Sequence, residues 1–230
     1  MKDPYGKAVA HSYSSLKAFE NCALAFEQLR ILKMYPYVQG KETEFGDIVH
    51  KDIENYLKLG SELGPEALPY KDKIDTIRKG VAGLEFVVEE QLVITSNLKP
   101  TTWWAKNAWF RVKIDWMLFN NAEHAIMFDW KTGKKRPDPF QLEVFATLVF
   151  LIYPEVKKVS SAYVWLKENP KDLITRETYT READFTKLLV NLLRKTTRVE
   201  RAIKANVYPA RPSGLCGWCQ CQPDCAFGKK

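Results

Sequence analysis

The sequence predicts an α/β fold in which helices flank a small mixed β-sheet. Two observations lead there. Short runs rich in aromatic and β-branched residues alternate with longer segments of helical periodicity, so strands arrive between helices. Their spacing lacks the regular repeat of a barrel or a dinucleotide-binding fold. At 230 residues, with 46% hydrophobic and 27% charged side chains, the chain can bury a substantial core. We expect one domain spanning residues 1–230.

Taken in order, residues 1–13 read as an arm. Ser12 or Ser14 can cap a helix whose apolar positions, Leu16, Phe19, Leu24, Phe26, Leu29 and Leu32, recur at roughly helical spacing as far as Met34. Pro36 ends it, and Cys22 falls inside it. Gly40 to Leu59 predicts a second helix with Phe45, Val49 and Ile53 as its apolar stripe. Gly46 and His50 are one turn apart and share a face. A glycine within a helix costs about 1 kcal/mol relative to alanine, so Gly46 fits a close approach by a backbone or a ligand. Pro65 to Lys79 suggests a shorter helix. Leu84 to Ile94 alternates as a strand in which Glu90 interrupts the more apolar face, either towards a site or in a salt bridge. The connection 96–108 is polar around Trp103 and Trp104, whose rings suit either base stacking or a cap over the core.

Next come two strands, Phe110 to Phe119 and Ala125 to Lys131, joined by a polar turn. Asp115 lies between Ile114 and Trp116, and Asp129 between Phe128 and Trp130, so both carboxylates are expected against the core, where charge is expensive. The period of two places Asp129 and Lys131 on one face and Trp130 on the other. Two carboxylates and an ammonium on one sheet face suit a divalent metal beside a phosphate; a structural Asp–Lys pair is the alternative. A loop follows with Lys134, Lys135 and Arg136, placed for phosphate contact or for solvent. Pro139 to Tyr153 predicts an apolar helix with Gln141 in its first turn. Lys158 to Lys167 reads as a strand, Leu173 to Tyr179 as an edge strand, and Thr180 as the cap of a helix to about Ala205. The tail 209–230 is too rich in Pro, Gly and Cys to hold itself without a ligand, and is expected to close onto helix 14–34.

A formal net charge of +7 and a pI near 9.0 permit a polyanionic partner. No apolar run approaches the roughly 20 residues that span a bilayer, and the first residues lack an apolar signal core, so an intracellular (cytoplasmic) protein is expected. Of five cysteines, four fall in CGWCQCQPDC, at Cys216, Cys219, Cys221 and Cys225. An odd count without a secretory signal argues for ligation of a metal or an iron-sulfur cluster over a disulfide framework.

In their order along the chain, Gly46-x-x-x-His50, Asp115, Asp129-Trp130-Lys131 and Gln141 resemble the RecB-like group of the PD-(D/E)XK nuclease superfamily. The segment YSSLKAFENCALAFEQ is similar to that group's entry helix. Cys22 with Cys216-x2-Cys219-x5-Cys225 resembles the arrangement in AddB and the CRISPR-associated RecB-like exonucleases. The resemblance implies a restriction-endonuclease-like core and a DNA exonuclease of recombination, repair or phage DNA processing that depends on Mg²⁺ or Mn²⁺. It implies that His50, Asp115, Asp129 and the Trp130 carbonyl hold the metal, that Lys131 serves the attacking water, and that Gln141 positions the scissile strand. It also implies a [4Fe-4S] cluster on Cys22, Cys216, Cys219 and Cys225. A structural Zn²⁺ on the four tail cysteines is the competing arrangement, opposed by the one-residue gap between Cys219 and Cys221. Two departures stand out. Asp129 occupies a position that is often Glu, and the family's Gln-x-x-x-Tyr here ends in Phe145. No GxxxxGK[ST] motif is present, so duplex unwinding would need a helicase or recombination partner. The alternatives are a DNA-binding accessory module without nuclease activity and a structure-specific endonuclease.

Overall fold

The computed structural model describes residues 10–36 and 38–228. Helix α1 spans Tyr13–Asn21 and opens on a capping box in which Ser12 and Ser15 satisfy each other's backbone amides. Helix α2, Ala23–Phe26, runs on as a π-helical turn, Glu27–Ile31. Helix α3, Lys41–Leu59, begins with Glu42 and Glu44 in its first turn and stops at Gly60, whose φ of 69° terminates it. Helix α4 is Lys71–Gly80. Three antiparallel strands follow: β1, Glu85–Thr95; β2, Ala108–Asn121; and β3, His124–Lys131. Helix α5, Pro139–Ile152, crosses over to β4, Lys158–Trp165, which pairs parallel to β3. Strand β5, Ile174–Thr180, closes the sheet antiparallel to β4 and leads into α6, Arg181–Ala205.

The five strands lie in the order β1-β2-β3-β4-β5, with only the β3–β4 pair parallel. A mixed sheet between helices is therefore the architecture, as the alternation of periodicities predicts. One core, with Leu16, Phe26, Leu148, Tyr163 and Leu192, fills the face towards α1, α2, α5 and α6. The other, with Val49, Ile53, Ile74, Trp116 and Trp130, fills the face towards α3 and α4. Because α5 is apolar almost all round, it is covered by the sheet on one side and by α6 on the other.

Three expectations are corrected. Residues 1–9 of the expected arm lie outside the described residues, but His11 is buried and bridges Phe110 in parallel; its N–H donates to the Trp109 carbonyl at 2.7 Å. Its ring and the Trp109 indole both turn to Glu200, at 3.4 and 2.8 Å. The helix expected from Ser14 to Met34 breaks at Cys22, which is extended at φ −162° and ψ 112° and ends α1 as it starts α2. The break turns Cys22 towards the tail, where the Arg211 N–H donates to its Sγ at 3.4 Å.

The third correction bears on the site. Strand β1 does not keep one alternation, because Glu89 has a left-handed backbone, φ 62°, which is costly for a non-glycine residue. The ladder steps from Val88↔Trp116 to Glu90↔Ile114 across it. Val88 and Trp116 consequently face the α3 core, whereas Leu92 and Ile114, of the same parity, face the α5 core. Glu90 ends on the α5 side, accepting from the Tyr153 hydroxyl at 3.4 Å, and not at the acidic site. Glu89 forms an ion pair with Lys113.

Candidate active site

Where β2 swivels, it parts from β3, and the last paired residues there are Trp116 and Phe128. Asp115 stands just past that point. Its Oδ2 accepts the Trp130 N–H at 2.8 Å, replacing a ladder bond with a carboxylate. A strand residue's N–H and C=O leave on the same side, so the Trp130 carbonyl also points into the opening. His50, on α3, brings Nδ1 to 3.3 Å from the same Asp115 oxygen. Gly46, one turn earlier, lets the helix come close: a Cβ there would sit 3.2 Å from Thr132 Oγ1, in the loop after Lys131. The close approach comes from that side chain and not from a backbone.

Trp130 anchors the strand by stacking on Trp116, with centroids 6.1 Å apart and planes 16° from parallel, on the α3 side. Asp129 and Lys131 are thereby held on the α5 side. Asp129 is 5% exposed. Its Oδ1 accepts from Gln141 Nε2 at 3.0 Å. Its Oδ2 is buried and pairs with the Lys131 ammonium at 2.5 Å. Gln141 Oε1 accepts from Lys131 Nζ at 3.2 Å and from the Tyr163 hydroxyl at 3.1 Å. That hydroxyl is also 2.7 Å from the Asp138 carbonyl, and Lys131 Nζ lies 5.1 Å from the Tyr163 ring centroid. Asp138 caps α5 through the Phe140 N–H and accepts Tyr13 Oη and Lys17 Nζ at 2.9 and 2.7 Å.

The electrostatics follow from burial. Desolvation pushes Asp129 up to about 6 against the pull of Lys131, with the Asp115 charge adding to the rise. Burial lowers His50, but the hydrogen bond and charge of Asp115, joined by Asp129, outweigh it and the net direction is up. Tyr163 is raised well above the usual phenol range, first by burial and then by Asp129, so its hydroxyl stays protonated.

The structure thus brings His50, Asp115, Asp129, Lys131, Gln141 and the Trp130 backbone to one end of the β2–β3 pair. Among the described residues, no three His, Cys, Asp or Glu groups stand close enough to hold an ion as they are. The donor chemistry nevertheless fits a hard divalent cation: two carboxylates, an imidazole and a carbonyl.

The profile of the PD-(D/E)XK nuclease superfamily matches residues 69–226. The chain belongs to that superfamily. Among solved structures, the crystal structure of a "Putative exonuclease" from Eubacterium rectale is similar, with 13% identity, 96% of this chain and 90% of that chain covered, and a TM-score of 0.57. At that identity the likeness concerns the fold. A protein named SSO0001 aligns at 14% identity over 94% of this chain and 96% of its own, with a TM-score of 0.38. No curated protein matches the chain.

The residues expected to touch DNA are scattered in character. Strands β2 and β3 are antiparallel, so the 96–107 connection lies at the same end of the sheet as Lys131. There Trp104 is 85% exposed, while Trp103 is half-buried with the Arg111 guanidinium 5.6 Å from its ring centroid. Lys134 and Arg136 are exposed. Lys135 is not free for phosphate, because Asp172 takes it in an ion pair at 2.8 Å. Tyr163 and Asp138, which complete the surroundings of Gln141, were not singled out from sequence; the alternation of Tyr163 with Val164 was the available signal.

Cys22, Cys216, Cys219, Cys221 and Cys225 all line one cavity of about 340 Å³ between α1–α2 and the tail. All five are free thiols. Backbone N–H groups donate to two sulfurs, Arg211 to Cys22 and Ser213 to Cys216 at 3.4 and 3.3 Å. Cys221 is the buried member, and desolvation followed by neighbouring Cys219 pushes its thiol up to about 12. Among the described residues no three of these thiols stand close enough to hold an ion as they are, although their sulfur chemistry and the amide donors are of the kind that surrounds a thiophilic centre.

Proposed function

We propose that the chain is a divalent-metal-dependent deoxyribonuclease that hydrolyses phosphodiester bonds from strand ends. The observation that carries this is the convergence of His50, Asp115, Asp129, Lys131 and Gln141 where β2 parts from β3. His50, both aspartates and the Trp130 carbonyl would hold Mg²⁺ or Mn²⁺, and the ion would supply Lewis acidity at the phosphate. Lys131, fixed between Asp129 and Gln141, orients the attacking water and offsets charge that develops on the phosphoryl oxygens. Gln141 positions the scissile strand, while Trp104, Lys134 and Arg136 lie outward for stacking and phosphate contact. Attack by water leaves a phosphate on one product and a hydroxyl on the other.

Within this reading the cysteine cavity takes a [4Fe-4S] cluster through Cys22, Cys216, Cys219 and Cys225, a structural role like that of a closed zinc site. The nuclease acts inside the cell in recombination, repair or phage DNA processing, with a helicase or recombination partner where duplex must be opened. Terminally labelled linear DNA, closed circular DNA and RNA, each with Mg²⁺ or Mn²⁺, test the reading beside Lys131→Ala. Ion-dependent release from linear ends, abolished in the variant, supports it. Cutting of closed circles would instead indicate an endonuclease, and equal activity in the variant would exclude Lys131 from the chemistry.

A further inference from the structure

We propose that Tyr163 is a positioning residue that locks the Gln141 amide in one orientation and thereby sets Lys131 and Asp129, an inference that rests on the hydrolytic reading above. Strand β4 runs beside β3 in a register that pairs Tyr163 with Asp129, so its ring emerges directly next to the acidic site. The side chain is 1% exposed, and its hydroxyl reaches both the Asp138 carbonyl and Gln141 Oε1. A phenol has one proton to donate, shared here between two acceptors from the first turn of α5.

The two ends of the Gln141 amide meet opposite partners. Its oxygen faces two donors, Tyr163 Oη and Lys131 Nζ, whereas its nitrogen faces a carboxylate oxygen, Asp129 Oδ1. Turning the amide over would set N–H against ammonium and carbonyl against carboxylate, so one orientation is satisfied. Lys131 alone cannot enforce it through chemistry, because an ammonium committed to water and phosphate will leave Gln141. Tyr163, buried and fixed in β4, still faces the oxygen end when Lys131 moves, sharing its proton between that oxygen and the Asp138 carbonyl. The ring has a second contact with the Lys131 ammonium. Replacing only the hydroxyl leaves that contact and the packing in place.

The test is a double-mutant cycle on the full chain with Mn²⁺, using Tyr163→Phe, Gln141→Ala and both together. Tyr163→Phe should lower kcat roughly 10-fold with KM for DNA ends within about twofold, as expected when orientation and not binding is lost. In the Gln141→Ala background the same change should have no further effect, since Tyr163 acts through Gln141. Losses that multiply, or a Tyr163→Phe variant with full kcat, overturn the proposal. A metal-free measurement runs alongside: the Gln141 side-chain amide protons should exchange with water faster in Tyr163→Phe than in wild type, and equal exchange overturns it. A wild-type protein that gives no ion-dependent product overturns the hydrolytic reading alone, and the amide exchange then decides whether Tyr163 fixes Gln141.

Discussion

The β2–β3 opening and the cysteine-lined cavity are both sites assembled from distant residues, but they are held in opposite ways. Around the first, Trp116, Trp130 and Tyr163 are at most 2% exposed, and every functional side chain leans on a packed strand or helix. Around the second, the tail has two short 3-10 turns, with Leu215, Trp218 and Phe227 between 57% and 88% exposed. The first is held in place by the core, although its His and Asp groups do not stand close enough together to hold an ion as they are. The second has little apolar burial of its own, so under the proposed reading a bound centre would supply much of its order. What the difference teaches is that a charged site can be built only where the core over-determines it, since Asp129 is strained electrostatically by its surroundings.

The comparison can be broken at its strongest point first. Lys131→Ala should lower kcat on the order of 10³-fold, with circular dichroism and melting temperature little changed, because Lys131 lies in the proposed reacting region and is partly exposed. A modest loss would mean that the opening is a structural ion pair. The tail comes next. Cys219→Ser, in protein purified without oxygen, should lose visible absorbance and lower the melting temperature, with a cost of about 3 kcal/mol or more. An unchanged melting curve would show that the tail holds itself.

A smaller effect of opposite sign is expected at Asp129. Its folded pKa of about 6 lies above the ordinary 3.8, so the metal-free folded protein binds more protons than the unfolded chain in that window. Stability should therefore be fully present below about pH 4 for this group and fall as pH rises through about 6, then level off. Asp129→Asn should remove that slope and raise metal-free stability at neutral pH by on the order of 1–3 kcal/mol, while abolishing activity. Urea unfolding across pH 4–8 with chelator present checks both. If the variant is less stable at pH 7, the Lys131 pair outweighs desolvation. Trp104→Ala should do least: stability within about 0.5 kcal/mol of wild type, and KM for DNA raised a few-fold. Initial rates over a range of DNA-end concentrations and thermal melts measure the two, and an unchanged KM removes Trp104 from the DNA path.

Much of the site was legible because it depends on local periodicity. Alternation placed Asp129 and Lys131 on one face with Trp130 opposite, and helical spacing put Gly46 in line with His50. The element order and the edge position of β5 followed from the same reasoning. What stayed hidden was tertiary. Nothing in the Glu89–Glu90 doublet announces a left-handed residue, so the swivel that frees Asp115 from the ladder could not be read. Cys22 interrupts a helix without glycine or proline, and the pull of the tail on its sulfur is nearly two hundred residues away in sequence. His11 lay in a polar stretch, and its burial depends on Glu200 and Trp109. Tyr163 reads as one more apolar strand residue until β4 is set beside β3.

The central claim is that water attacks phosphorus at the β2–β3 opening. Hydrolysis of a linear duplex in ¹⁸O-labelled water with Mn²⁺, followed by mass spectrometry of the released nucleotides, tests it most directly. The account predicts one ¹⁸O in each newly formed phosphate with wild type and no product with Lys131→Ala. Product without the label, or labelled product undiminished in the variant, would contradict it.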